Sequence, residues 1–238
     1  MLSKLKVTFG LDTPMVPSAY PIHLDALVAY AATQSALAAG DATEQSANSI
    51  RQLADNLPFG KETRHGEWVW QASALVPEVI GEQSVRMWTR KTNAYDYAAR
   101  AASGALELGA RTRNALDDGK PYAGTIDTTR GLLKNQFEFY PVAEVFQLSA
   151  WCIGDVDQLE ALLAPESGFV THLGKRGRIG HGRIRSVTFS EAHDAIDRWK
   201  IRVLPWRESD AYEPMVAAFQ PPYWAVENRK LAFVPVDF

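Results

Sequence analysis

The stretch from Glu144 to Phe189 constrains the fold most, because strand, helix, loop and strand signals follow one another within it. Glu144-Val145-Phe146-Gln147-Leu148-Ser149-Ala150-Trp151-Cys152-Ile153-Gly154 is rich in strand formers. Asp155 stands where a helix N-cap belongs, Val156 to Ala164 reads as a short helix, and Pro165 with Gly168 ends it. A glycine-rich run follows, and Arg183-Ile184-Arg185-Ser186-Val187-Thr188-Phe189 alternates as a strand. This order fits half of a ferredoxin-like βαββαβ fold of the α+β class. The alternating Leu5–Leu11 strand and the Ala-rich helix over His23–Ala32 begin the other half.

Between these parts the signals are weaker. Pro14 and Pro17 break the chain, Gly40 to Ser49 reads as a polar loop, and Trp68 to Leu75 reads as a strand. From Arg86 to Lys134, basic residues (Arg86, Arg90, Lys91, Arg100, Arg111, Arg113, Lys120, Arg130, Lys134) recur beside Trp88, Tyr95, Tyr97 and Tyr122. Helix and strand character are balanced between Ala98 and Leu108. Residues 86–134 read as an insertion into one domain spanning 1–238. Such interleaving suits a groove that follows phosphates and stacks bases. It equally suits a solvated hairpin and helix with ordinary core aromatics.

The run from Leu173 to Arg185 packs four glycines, five Lys/Arg and no acid into thirteen residues. Glycine lets backbone N–H groups approach an anion, and the cations neutralise phosphate charge. A solvated basic hairpin would have the same composition. The nucleotide-cofactor motifs fail on spacing. The G-x-G is Gly180-His181-Gly182, with Arg185 where a dinucleotide fingerprint needs its third glycine. Gly174-Lys175 is followed by Arg176, and Phe169 occupies the place of the P-loop's first glycine.

Charge supports a localised contact. The 238-residue chain has a formal net charge of -3, which argues against indiscriminate coating of nucleic acid. Yet residues 172–207 hold nine Lys/Arg against three acids, while 1–58 hold three against five. A basic region on a mildly acidic protein is a plausible electrostatic footprint. No apolar run reaches the roughly 18 residues of a membrane span, and the first residues lead into a strand rather than a signal-peptide core, so a cytoplasmic protein without membrane contact is expected.

Other chemistries find less support. The single Cys152, between Trp151 and Ile153, is expected as a buried strand thiol rather than a nucleophile. There is no H-E-x-x-H, cysteine pair or G-x-S-x-G, and Asp117-Asp118 and Asp155-x-Asp157 read as turn and cap carboxylates. Neither a metal site nor a cofactor is expected. His23, beside Asp25 at a helix start, suits either a structural role or acid–base work. His181 suits a phosphate or base contact; His65, His172 and His193 have no second motif around them. The apolar Phe219–Trp224 and Phe233–Phe238 segments fit either a partner surface or a C-terminal strand and its packing.

The first strand, the Pro21-Ile22-His23-Leu24-Asp25-Ala26-Leu27 helix opening and the late Gly174-Lys175-Arg176-Gly177-Arg178-Ile179-Gly180-His181-Gly182 loop together resemble the RAMP superfamily of CRISPR-associated proteins. Within it the chain looks most like the group-five subunit of type IV CRISPR effector complexes. The resemblance covers the first forty residues and 144–238, with the middle covered by architecture alone. It implies a ferredoxin-like, RNA-recognition-like RAMP fold with an inserted basic thumb and a glycine-rich loop. The implied function is non-catalytic: capping the crRNA 5′ handle, with a contribution to reading the protospacer-adjacent motif on target DNA in antiviral or plasmid-directed interference. The alternative it carries is a metal-independent crRNA-processing endoribonuclease, and a scaffold that touches no RNA ranks third. Carried over residue by residue, Lys175, Arg176, Arg178, His181 and Arg183 become RNA contacts, Gly174, Gly177, Gly180 and Gly182 shape the loop, and Arg86, Arg90 and Lys91 become thumb contacts. Implied partners are crRNA, backbone subunits, a large subunit, target DNA and a helicase.

Overall fold

The computed structural model describes residues 1–40, 47–103, 128–130 and 134–236. They form an α+β structure with a four-stranded sheet and two antiparallel hairpins. Strand β1 (Leu2–Leu11) lies inside the large sheet, whose order is β4-β5-β1-β6, with β4 Val76–Arg90, β5 Gln136–Asp155 and β6 Ile184–Glu191. It pairs antiparallel with β5 from Leu2↔Asp155 to Gly10↔Gln147, and antiparallel with β6 from Leu5↔Glu191 to Leu11↔Ile184.

The period-two pattern of β1 explains its place. Leu5, Val7 and Phe9 are buried in one core with Leu24 and Val28 of α1 (Leu24–Ala39) and with Leu159 and Leu163. The last two belong to α4 (Val156–Leu163), numbered after α2 (Ala47–Ala54) and α3 (Ala94–Ala102). Asp155 caps α4, its carboxylate accepting the Gln158 amide at 3.3 Å. Lys6, which alternates with the buried set, pairs with Glu78 at 2.8 Å. Cys152 is buried in β5 opposite Leu5, and burial pushes its thiol up to about 12.

A second core gathers Val69, Trp199, Val203, Leu204, Trp206 and Phe219 beside Tyr212 and Ala232 of the hairpin β7 (Tyr212–Ala218) and β8 (Arg229–Pro235). Val69 comes from the smaller hairpin of β2 (Lys61–Arg64) and β3 (Glu67–Trp70).

The two cores are joined by a buried polar cluster. Asp25 and Arg202 are fully buried and form an ion pair at 3.0 Å. The Arg202 guanidinium also donates to the carbonyls of Trp70 (2.7 Å), Ala72 (2.8 Å) and Phe219 (2.8 Å). Tyr223 donates its hydroxyl to Asp25 at 2.9 Å. Burial pushes the Asp25 carboxyl up, against the opposing pull of Arg202 and Tyr223. His23 seals the edge: its ring stacks on Tyr223 at 4.7 Å and its Nε2 accepts the Val203 amide at 3.2 Å. Burial, reinforced by the Arg202 charge, holds this imidazole well below its usual range.

Several expectations change in detail. Helix α1 runs on to Ala39, beyond Ala32. The loop expected up to Ser49 gives way to α2 from Ala47, an amphipathic segment whose short apolar stripe is hidden among polar residues. The strand expected over Trp68–Leu75 ends at Trp70, with isolated bridges at Ala72 and Ala74. Strand β4 had no alternation to read, because it is an edge strand exposed along most of its length. Phe219 packs into the second core and β8 extends to Pro235, while Trp224 stays exposed.

The chain divides into two compact units, Met1–Ser84 with Val142–Phe238, and Val85–Pro141. In the second, the Asn93 side chain accepts the Tyr95 and Asp96 amides at the start of α3, and Phe137 meets Phe139 edge-on at 5.1 Å. Arg111, Arg113, Asp117, Asp118, Lys120 and Tyr122 lie outside the described residues.

Two outcomes follow from the cluster. Arg202→Leu leaves a buried carboxylate without its counter-charge and takes the guanidinium donors from the Ala72 and Phe219 carbonyls, and should lower unfolding free energy in urea by about 3–5 kcal/mol. Adding Asp25→Leu should recover only part of the loss, because the carbonyls stay orphaned. A histidine held neutral in the fold protonates in the unfolded chain as pH drops through its ordinary value of 6.5. Its contribution is therefore complete at pH 7 and lost progressively below 6.5, with a slope of up to about 1.4 kcal/mol per pH unit. His23→Gln, which retains an acceptor for Val203, should remove that component from urea melts between pH 7 and 5.

Candidate nucleic-acid interface

The run from Leu173 to Arg185 lies in the larger unit and ends in β6. Its backbone is clamped to the segment that follows β1. Lys175 donates its amide to the Val16 carbonyl at 3.0 Å, Gly182 donates to Pro14 at 3.0 Å, and the Arg183 amide donates to the Thr13 hydroxyl at 2.9 Å. Within the loop, Leu173 N–H closes on the Gly182 carbonyl at 2.8 Å and Gly180 N–H on Gly177 at 2.8 Å. Pro14, read as a simple break, thus belongs to the strip that holds the loop, and Pro17 follows that strip.

The glycines serve this closure. Gly182 has φ 68°, and a Cβ there would stand 1.9 Å from the Leu173 carbonyl oxygen. Gly180 has φ 91° with nothing within 4 Å of where its Cβ would be. Gly174 precedes the bridge between Lys175 and Val16, and Gly177 opens a short 3-10 turn to Ile179, preceded by Arg176 in the left-handed region. The amides of Lys175, Ile179, Gly180, Gly182 and Arg183 are all committed to protein acceptors. An anion meeting this loop would therefore find chiefly side chains rather than a ring of open N–H groups.

Of those side chains, Lys175, Arg178 and Arg183 are exposed, and Arg176 is half-buried. Neither Lys175 nor Arg178 has an ion-pair partner among the described residues. Arg183 pairs with Asp12 at 3.3 Å, with Arg185 of the same run 4.0 Å from that carboxylate. His181 is buried, with Nδ1 3.2 Å from the Pro14 carbonyl. This geometry anchors the loop.

The wider basic surplus is partly internal. Arg202 is spent on Asp25, Lys200 pairs with Glu208 at 2.7 Å, and Arg198 pairs with Asp194 while lying 3.4 Å over the Trp151 ring. The exposed charge is thus concentrated in the glycine run itself. In the other unit Arg86, Arg90 and Lys91 are exposed, Arg90 with contacts of its own. The buried Arg202 cluster was invisible in the pattern of the chain; its one trace was an aspartate set in the apolar opening of α1.

Histidine chemistry is constrained by the same geometry. His23 has one ring nitrogen committed to Val203 and His181 one to Pro14. Among the described residues no helix is long and apolar enough to cross a membrane, and no group of three or more His, Cys, Asp or Glu is placed to hold a metal ion.

The family model described as CRISPR type IV associated protein Csf3 matches residues 3–235. No curated protein matches the chain. Among solved structures, a chain of the Csm3-Csm4 subcomplex in the type III-A CRISPR-Cas interference complex aligns over 98% of this chain and 91% of its own length, at 9% identity and a TM-score of 0.41.

The loop geometry separates two glycines by experiment. Gly182→Ala forces backbone against backbone and should cost at least 3 kcal/mol in urea unfolding, at about the upper end for strained positions. Gly180→Ala meets open space and should cost about 1–2 kcal/mol, the left-handed penalty alone.

Proposed function

The chain belongs to the Csf3 family of CRISPR type IV associated proteins, and on that premise we propose that it is a non-catalytic guide-RNA-binding subunit of a type IV CRISPR ribonucleoprotein. The observation that carries this reading is the pair of exposed cations Lys175 and Arg178, without an ion-pair partner among the described residues, on a loop whose backbone is clamped at both ends. A rigid loop holds its charges in place before the polyanion arrives, so little ordering entropy opposes binding. Its contacts are with phosphates, which give affinity and salt dependence, and the 5′ handle of the crRNA is the ligand.

The architecture supports the same reading. Sheet order β4-β5-β1-β6, with α1 after β1 and α4 between β5 and β6, is the order a ferredoxin-like βαββαβ unit produces. The unit Val85–Pro141, which takes in the far end of β4, helix α3 and the first part of β5 and carries Arg86, Arg90 and Lys91, fills the role of an inserted thumb. In the assembled particle the subunit caps the handle beside the backbone subunits. With the large subunit it contributes to reading the protospacer-adjacent motif on target DNA, and a helicase acts downstream in interference.

The test replaces Lys175, Arg176 and Arg178 together by alanine and follows repeat-RNA binding across salt concentrations. Affinity should fall, and the slope of log K against log salt should shrink by about 2, the value for three lost single-strand phosphate contacts. Unchanged affinity and slope would remove the loop from the interface. Denaturing gels of the same samples in EDTA should show intact RNA; specific cleavage abolished by His23→Gln would replace this reading with a processing nuclease.

A further inference from the structure

A cavity of about 430 Å³ opens between the segment leading into α1 and the β7–β8 hairpin, within the larger unit and away from the loop residues discussed above. Its size falls in the range of small-ligand pockets, roughly 300–1,000 Å³. One wall is aromatic: the His23 ring stacked on Tyr223 at an interplanar angle of 12°, with Tyr20 beside it. Met215 and Ala217 supply apolar surface.

Two polar features point to a ligand. His23 is buried to 4% exposure, and its Nε2 is occupied by the Val203 amide, so the neutral ring carries its proton on Nδ1. That Nδ1–H has no partner among the described residues, yet no buried side-chain nitrogen is left unsatisfied. The nitrogen therefore reaches accessible space, and His23 lines the cavity. At the rim, Arg229 is exposed and makes no side-chain hydrogen bond or ion pair among the described residues.

A flat aromatic wall, one N–H donor and one free guanidinium match a nucleotide. Its base has two π-faces and acceptor atoms on its edge, and it is tethered to a phosphate. A lipid chain leaves the donor unused, and an apolar peptide leaves the guanidinium unused. We infer that this cavity receives one unstacked nucleobase of the bound RNA, stacked against the aromatic wall, accepting from His23 Nδ1–H, with its phosphate on Arg229. The inference rests on the RNA-binding reading for the source of the base.

The test uses the full chain with repeat RNA substituted by 4-thiouridine or 6-thioguanosine, photo-crosslinked and mapped by mass spectrometry. Wild type should crosslink in peptides containing Tyr20–Ala26 or Tyr223–Arg229. Ala217→Phe, which fills the cavity and leaves the His23, Tyr223 and Arg202 bonds and the glycine loop in place, should remove these crosslinks and weaken binding about tenfold. Tyr20→Ala alters an exposed ring, at 69% exposure, and should weaken binding similarly with an unchanged melting temperature. RNA that binds both variants within twofold of wild type, with the same crosslinks, overturns the pocket and leaves the RNA-binding reading standing. If wild type binds no RNA, that reading fails, and AMP and UMP titrations followed by NMR decide the pocket: saturable binding lost in Ala217→Phe supports it, and no saturable binding overturns it.

Discussion

The salt bridge between Asp25 and Arg202 is the contact on which the remainder of the larger unit depends. A charge removed from water must be matched by partners of suitable geometry, and here the long-range partners come from three separate parts of the chain. Asp25 belongs to the first helix, Trp70 and Ala72 to the stretch at and after the small hairpin, and Phe219 and Tyr223 to the connection between β7 and β8. Hydrophobic contacts could join these parts in many registers; a guanidinium with fixed donor directions accepts far fewer. The arrangement of the two cores is set there, and the cavity beside His23 and Tyr223 is a by-product of that setting.

The glycine run shows the same logic at smaller scale. Its residues were legible as a basic, glycine-rich loop, but the use of the glycines was not. They let the loop close upon the Thr13–Val16 strip, which leaves the exposed Lys175 and Arg178 and the half-buried Arg176 as the charged groups the loop presents. A loop that held its amides open would have to order itself on meeting an anion. Here the Lys175, Gly182 and Arg183 amides are already bonded to the strip that follows β1.

What could be read in the chain was what neighbouring residues decide between themselves. Strand β1, the Asp155 cap, helix α4 and strand β6 each carry a local period or capping signal, and each occurs where expected within a few residues. The failures share a different cause. Strand β4 is an edge with solvent on both faces, so no alternation marks it, and α2 is too short for its stripe to stand out. Arg202 looked like one more cation in a basic region because its meaning depends on a residue 177 positions away. Long-range charge pairing leaves no period to find, and only the oddity of an aspartate in an apolar helix hinted at it.

That separation also bears on the protein's birth. Translation proceeds from the N-terminus at roughly 5–20 residues per second, so Asp25 leaves the ribosome on the order of ten to thirty-five seconds before Arg202. Throughout that interval α1 cannot bury its carboxylate with the right counter-charge. The hydrophobic residues of the first core, from Leu5 to Ile184, are all synthesised before Arg202, so in order of synthesis the buried ion pair is completed after the apolar core it adjoins.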